Sequence, residues 1–593
     1  MITIKGGEFL IKDQEAHDIF IPEDFSEEQL MMASATKEFV EKELDPHRER
    51  FEKKDYKLTE DCMKKAGELG LLGIGVPSEY GGMGMPFNTS VLICDKISGA
   101  NGSFSTAFGA HTGIGTLPIL LYGDDTQRKK YLPKLATGEW MGCYCLTEPN
   151  AGSDANSGKT KAVLTEDGKH YLISGQKMWI SNAGFADVFI VFARIEDDKN
   201  ITGFILERSM EGITFGEEEH KLGLNSSSTR QVFFNDVEVP IELMLGGRGN
   251  GFKIAMNALN VGRIKLSAAV LDACRRVTTL STSYANERIQ FGSPIGKFGA
   301  IKHKLADMAV RTYAIESATY RAGNEIEKNI ERLESEGVDR QEAHLKGIEE
   351  YAIECSIVKV LGSETIQYCS DEGIQIYGGM GYSADTPMEA AYRDARIARI
   401  YEGTNEINRM LLVGMILKKA MKGELDIMTP AMKVASDLMS LPSFETPDES
   451  KLFAIEKEHL NKLKKSILMI AGKAAQYFTI DIEKEQEVLI NLADMVMDVY
   501  TAESGLLRAE KLSVKNGTEV TQHQITMSKL FLYSAIKNCQ KAGEEVILSF
   551  TEEDEQRMLL LGLKRFTKGY TINPKELRRE IAAKLIEENK YCF

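Results

Sequence analysis

The sequence predicts a multidomain α+β protein: a helical block, a central antiparallel β-barrel or sandwich, a second helical block and an extra helical domain after it. Three observations lead there. The chain has 593 residues, more than one hydrophobic core normally holds. Only 14 prolines interrupt it, which favours long helices. Between Met141 and Pro240 the texture changes to short runs rich in Val, Ile, Phe and Thr, separated by Gly, Asn and Asp.

Residues 1–140 read as a helical domain. "SEEQLMMASATKEFVEKEL" opens on the capping pattern Ser26-x-x-Gln29 and carries apolar residues at helical spacing. "LTEDCMKKAGELGLLGIG" gives a helix that ends in glycines, and the small residues of "GANGSFSTAFGAHTGIG" let a helix or a ligand approach closely. Residues 141–248 form the β domain, from "MGCYCLTE" through "HYLISGQKMWIS" and "ADVFIVFARIE" to "RQVFFNDVEVP". Helical crossovers are missing between these runs, so the sheet is predicted to be antiparallel. Residues 249–425 return to long helical patterns, beginning with "GFKIAMNALNVGRIKLSAAVLDACRRVTTL". Pro430, Pro442 and Pro447 mark 426–450 as a linker. Residues 451–593 form the additional helical domain, with Leu489, Leu492, Val496 and Tyr500 on one face.

Bulk properties exclude several functions. A net charge of −16 argues against nucleic-acid binding, which needs basic patches, but leaves room for a nucleotide cofactor in a local site. Nine scattered cysteines make no disulfide framework, which fits a reducing cytosol. Only Cys143 and Cys145 lie close together, and no second pair completes a zinc site; no metal is expected. The opening "MITIKGGEFLIKDQEAHDIF" lacks the basic and apolar regions of a signal peptide, and no apolar run approaches the ~20 residues of a spanning helix. A cytoplasmic protein is expected.

The chemistry concentrates in a few motifs. Gly379-Met-Gly381-Tyr-Ser-Ala384 matches G-x-G-x-x-A, but without a βαβ context it reads as a turn between helices. Glu402 stands alone in "YEGTNEINR", a break between two helical patterns. On residue type it is a solvated carboxylate at a helix start. The segments "CYCLTEPNAGSDANSGKTKA", "KMWISNAGFAD" and "QIYGGMGYSADTPMEAAYRDARIARIYEGTNEINR" change that reading, because together they closely resemble the acyl-CoA dehydrogenase family. "LGLLGIGVPSEYGG", "RQVFFNDVEVP" and "ERIQFGSPIGKF" agree in order and spacing, and the resemblance extends over about residues 30–420. The long extension after it is similar to that of the very-long-chain branch.

The resemblance implies the fold order read above, an FAD cofactor, and oxidation of a fatty acyl-CoA to the trans-2-enoyl-CoA as the first step of fatty acid β-oxidation. Electrons would pass to an electron-transfer flavoprotein. The α C–H of a thioester is weakly acidic and needs a placed base, and the β-hydride needs a cofactor because no side chain accepts it. By resemblance Glu402 is the base and flavin N5 the acceptor. A related subset places the base at the position of Gly262, and glycine cannot serve. Gly262 could also leave room for an acyl chain. Two effects oppose each other at Glu402: the dipole of the following helix, capped by Thr404 or Asn405, lowers its pKa, and desolvation raises it.

The implied flavin contacts are Tyr144, Leu146 and Thr147 on one side and Trp179, Ile180 and Ser181 on the other, with Ser181 near N5. Arg288 and Phe291 would reach the phosphate and adenine portions from a neighbouring subunit. Gln375, Gly378 and Gly379 would approach the pyrophosphate, and Thr404 and Glu406 would touch the cofactor after the catalytic turn. Gly299 replaces a Gln that many relatives carry, which puts that contact in question. Ser153, Asn260 and Arg263 are implied along the path of CoA, with Gly262 and Gly403 beside the substrate. Arg393, Arg396 and Arg399 read as a helix face in ion pairs.

"NKLKKSILMIAGKAAQYF" has a basic amphipathic pattern that suits either a peripheral membrane contact or packing on its own domain. The tailed branch implies a homodimer. The alternatives are an acyl-CoA oxidase and a catalytically silent acyl-CoA-binding or assembly protein.

Overall fold

The computed structural model describes residues 4–438, 448 and 450–593. Residues 27–138 hold helices α1 (Glu27–Phe39), α2 (Arg48–Glu52), α3 (Tyr56–Glu68), α4 (Phe87–Ser98), α5 (Gly102–Gly109), α6 (Leu117–Tyr122) and α7 (Asp125–Thr137). Their ends follow local chemistry. The Ser26 hydroxyl accepts from Gln29 N, and the Gln29 side chain accepts from Ser26 N, closing the expected capping box of α1. Asp124 and Gln127 do the same for α7, which stops at Gly138 in the left-handed region (φ 76°).

Eight strands follow: β1 (Gly142–Cys145), β2 (Lys161–Leu164), β3 (His170–Ser181), β4 (Val188–Ile195), β5 (Thr202–Glu207), β6 (Ile213–Glu218), β7 (Thr229–Pro240) and β8 (Met244–Leu245). They form one sheet in the order β6-β7-β3-β2-β4-β5-β8, with β1 paired to β4. A central β domain follows the first helical block, but the expectation of purely antiparallel pairing is corrected. β4 runs parallel to both β1 and β2. The reason is topological: β3 reverses the chain after β2, so β4 can slot beside β2 in the same direction without a helical crossover.

The second helical block contains α8 (Gly251–Glu287), the hairpin β9 (Ile289–Gln290) and β10 (Ser293–Pro294), α9 (Gly299–Ser335), α10 (Arg340–Glu350), α11 (Ala352–Tyr377), α12 (Met388–Arg396) and α13 (Asn405–Met421). The segment expected as a linker carries a helix of its own, α14 (Met428–Leu438), in which Pro430 sits within the first turn, where its missing N–H costs nothing. Pro442 and Pro447 lie outside the described residues. The tail comprises α15 (Ala454–Phe478), α16 (Gln486–Asn516), α17 (Gln522–Phe550), α18 (Glu553–Thr567) and α19 (Pro574–Glu588).

The tail shares its core with the block before it. One apolar cluster joins Leu271 of α8, Ile315 of α9 and Val358 of α11 to Leu463, Tyr500 and Ile536 of the tail. The first residues also belong to this assembly, which Ala33 of α1 and Val91 and Leu92 of α4 share. Phe9 is fully buried with its ring 4.8 Å from that of Tyr500, Tyr351 donates to Ile4 O (2.7 Å), and Gly7 N donates to Glu354 (2.8 Å).

The basic apolar stretch of the tail is α15. Ile467, Leu468, Met469 and Ile470 are all buried, and Lys464 is buried beside Glu503 (2.6 Å). Lys462 pairs with Glu458, and Lys473 with Glu555. Of the two readings the pattern allowed, these apolar residues follow packing on their own domain. Among the described residues no helix is long and apolar enough to cross a membrane.

Candidate active site

The site begins at the turn between α12 and α13. Glu402 (φ 58°) and Gly403 (φ 82°) lie in succession in the left-handed region, which reverses the chain. A non-glycine residue there costs on the order of 1–2 kcal/mol, so the surroundings must hold it. They do so through carbonyls. Glu402 O accepts from Arg263 Nε (3.3 Å) and Asn408 Nδ2 (3.3 Å). Gly403 O accepts from Lys359 Nζ (2.7 Å) and Asn408 Nδ2 (2.8 Å). Lys359 also donates to Asn405 Oδ1 (2.8 Å), and the Thr404 hydroxyl caps α13 by accepting from Ile407 N (3.3 Å).

The Glu402 side chain lies over Gly262 of α8. A Cβ at that position would come within 2.6 Å of Glu402 Oε2. Gly262 therefore makes room for the carboxylate itself, and a side chain at 262 and Glu402 in this rotamer exclude each other. Oε2 is buried and finds no hydrogen-bond partner among the described residues. Burial raises the Glu402 pKa to about 7, while Arg263 and Lys359 pull it back only in part. Desolvation thus wins over the nearby cations, giving a carboxylate that gains and loses a proton near neutrality. Burial also lowers Lys359 to about 7, opposed first by the charge of Glu402.

Glu402, Gly262 and Ser181 line one cleft of about 1070 Å³. Its middle is largely apolar, between α8 and the end of α5 with the turn that follows, with Ala110, Ile114, Leu266, Ala269 and Ala273 on its walls beside Thr106 and Lys265. Ser181 and the other residues expected around a flavin are brought together by a bulge in β3. Lys177 pairs with Val232 and Ile180 with Arg230, so β3 carries an extra residue there. Trp179 sits on this bulge at φ 59°, 52% exposed, an unusual state for an indole in a strand. Lys177 is buried and fastens the bulge to the end of β1 by donating to Leu146 O (3.1 Å) and Glu148 Oε1 (2.6 Å). Met178 N donates to Thr147 O (3.0 Å). Ile180 is buried in the sheet, and Tyr144 presents a buried hydroxyl that has no partner among the described residues. An exposed indole and this unpaired hydroxyl near the carboxylate suit a flat, polar-edged aromatic ring.

Other expected residues are placed differently. Asn260 and Arg263, expected along a CoA path, are buried beneath the turn, where Arg263 donates to Asn260 Oδ1 (2.7 Å) and to Glu402 O. Ser153 is exposed on the loop after β1. Arg288, Gln375, Gly378 and Gly379 are exposed away from the cleft, as is Phe291 at 96% exposure. Their helices are joined where Tyr284 of α8 stacks on Tyr377 of α11 (4.0 Å between ring centres). Glu406 is exposed on the first turn of α13. The ion-pair reading of the arginine stripe holds for Arg393, which binds Glu389 (2.6 Å) and Glu52 (2.8 Å). Arg396 Nη1 and Arg399 Nε are buried without partners among the described residues, which corrects that expectation. Lys359 and Asn408 are absent from the sequence reading, and Asn405 entered it only as an alternative cap to Thr404, which is the residue that caps α13. A lone lysine in the apolar run "SIVKVLG" was the available signal for the first.

Four family models match the chain in order. The N-terminal, middle and C-terminal domains of acyl-CoA dehydrogenase match residues 26–139, 143–237 and 249–417, and a further acyl-CoA dehydrogenase C-terminal domain matches 462–565. The chain is 44% identical over 589 residues to a probable acyl-CoA dehydrogenase of Bacillus subtilis (strain 168), spanning 99% of this chain and 98% of that one. It is 35% identical over 497 residues to the very long-chain specific mitochondrial acyl-CoA dehydrogenase of Rattus norvegicus, spanning 79% of this chain and 72% of that one. The crystal structure of an acyl-CoA dehydrogenase complexed with FAD from Bacillus anthracis superposes with a TM-score of 0.97, at 43% identity and over 100% of both chains.

Proposed function

Since the chain belongs to the acyl-CoA dehydrogenase family, we propose that it binds FAD and oxidises a long-chain fatty acyl-CoA to the trans-2-enoyl-CoA. The observation that carries this reading is the Glu402 carboxylate, half-buried over Gly262 on the cleft wall with its enclosed oxygen unpaired among the described residues. When bound, FAD supplies the acceptor for the β-hydride. Tyr144, Leu146, Thr147, Trp179, Ile180 and Ser181 would hold the ring, and Arg288, Phe291, Gln375, Gly378 and Gly379 the remainder across a homodimer.

The protein's own part is proton transfer and exclusion of water. Glu402 takes the α-proton while ionised, and the protonated carboxyl that results is the form favoured by its buried position. Arg263, Lys359 and Asn408 keep the carboxylate aimed by fixing the two carbonyls of the turn. The apolar walls between α5 and α8 remove water from around the acyl chain, which strengthens every electrostatic contact at the reacting carbons. The long-chain preference is supported by the tail and by identity with a very long-chain specific relative. The natural electron acceptor we assign is an electron-transfer flavoprotein.

Anaerobic mixing of the yellow protein with acyl-CoAs of increasing length tests this reading. Flavin bleaching is expected and should favour long chains. Glu402→Gln should keep the flavin and lose the bleaching; normal bleaching by that variant would move the base elsewhere.

A further inference from the structure

The cleft does not end at its apolar middle. Along α8 it runs from Gly262, beside Glu402, to Thr279, roughly 25 Å at 1.5 Å per residue. Its far end is lined by Asp45, Asp272, Arg275 and Arg276 and by two residues from the other end of the chain, Lys590 and Tyr591. Asp45, Asp272, Arg275 and Arg276 are already paired. Arg276 donates to Asp272 (2.8 Å) and Asp45 (2.9 Å), and Arg275 to Glu316 (2.6 Å) and Asp95. A hydrocarbon chain pushed among them would strip water from ions and gain nothing in return.

The segment carrying Tyr591 is firmly seated. Ile581, Ala582 and Leu585 of α19 are fully buried, and Arg578 binds Asp307 of α9 (2.7 Å). Asn589 ends the helix in the left-handed region (φ 54°), which turns the chain back onto α8. There Asn286 donates to Ile586 O (2.9 Å) and Asn589 Oδ1 (2.8 Å), and Tyr591 N donates to Thr279 (3.1 Å). The Tyr591 ring packs edge-on against Phe593, 5.7 Å between centres. Its hydroxyl is buried and has no partner among the described residues.

We propose that the Lys590–Phe593 segment, docked by α19 on the end of α8, is the end stop of the cleft and that Tyr591 sets the longest acyl chain it accepts. This rests on the acyl-CoA reading above. It gives the tail a direct role in specificity, because residues nearly two hundred positions beyond Glu402 close the same cleft.

The test measures binding of non-reactive alkyl-CoA thioethers, from about 12 to about 26 carbons, to the full-length FAD-loaded protein, since each added buried methylene tightens binding about fourfold until the stop is met. Tyr591→Ala should move that limit to longer chains and Tyr591→Trp to shorter ones. Tyr591→Phe should leave it where it is, and thermal melting checks that all three are folded. If folded Ala and Trp variants keep the limit of the unaltered protein, the end stop is wrong and the acyl-CoA reading stands. If the unaltered protein shows no dependence on chain length, both fail.

Discussion

At the scale of the residue, the site turns on what a glycine permits. The carboxylate of Glu402 occupies the space a side chain at 262 would fill. Gly262→Ala should push Glu402 aside by about an ångström and lower kcat roughly a hundredfold, with flavin content unchanged. Lys359 tests the electrostatics. In its proposed role as base Glu402 must be ionised to accept a proton, and its pKa near 7 should make kcat/KM of the free protein rise with pH through neutrality. The charge of Lys359 lowers that pKa, so Lys359→Met should shift the rising limb to higher pH. It should also cost about tenfold or more in kcat, because Gly403 O loses a hydrogen-bond donor. A limb that stays in place would mean that Lys359 acts only as a strut. Glu402 was legible in the sequence because its neighbours form a local motif. Lys359 was not, because it reaches the turn from 44 residues away.

At the scale of the element, position in the chain misleads where packing decides. Trp179 and Ser181 could be singled out from "KMWIS", but the bulge that exposes the indole depends on pairing with β7, more than forty residues on. The amphipathic pattern of α15 was real, and α16, α17 and α18 supply its partner in place of a lipid surface. The first residues show the same rule. They precede a helical block, yet Phe9 is a plug in the core formed with α16. Phe9→Ala should therefore destabilise the protein by about 3–5 kcal/mol, read as a lower midpoint of urea unfolding. Activity per folded molecule should be unchanged, since Phe9 does not line the cleft.

At the scale of the whole molecule, the tail is joined to α8, α9 and α11 through a shared core and to α9 through a buried set of charges. Arg321 of α9 is fully buried and donates to Glu503 (2.8 Å) and Ser504 (3.0 Å) of α16, to Glu325 (3.1 Å) and to Gln14 of the leading segment. Lys464 of α15 completes the set on Glu503. Three distant parts of the chain thus meet on one guanidinium, a geometry no local pattern announces. Removing one member of a buried set leaves the others uncompensated, which costs about 3–5 kcal/mol, whereas replacing the set by apolar groups can be neutral. Arg321→Met should accordingly destabilise strongly, and adding Glu503→Gln should recover part of the loss. Because the core is continuous, both variants should unfold in a single transition by fluorescence and by flavin release. Two separated transitions would show that the tail is an independent domain after all.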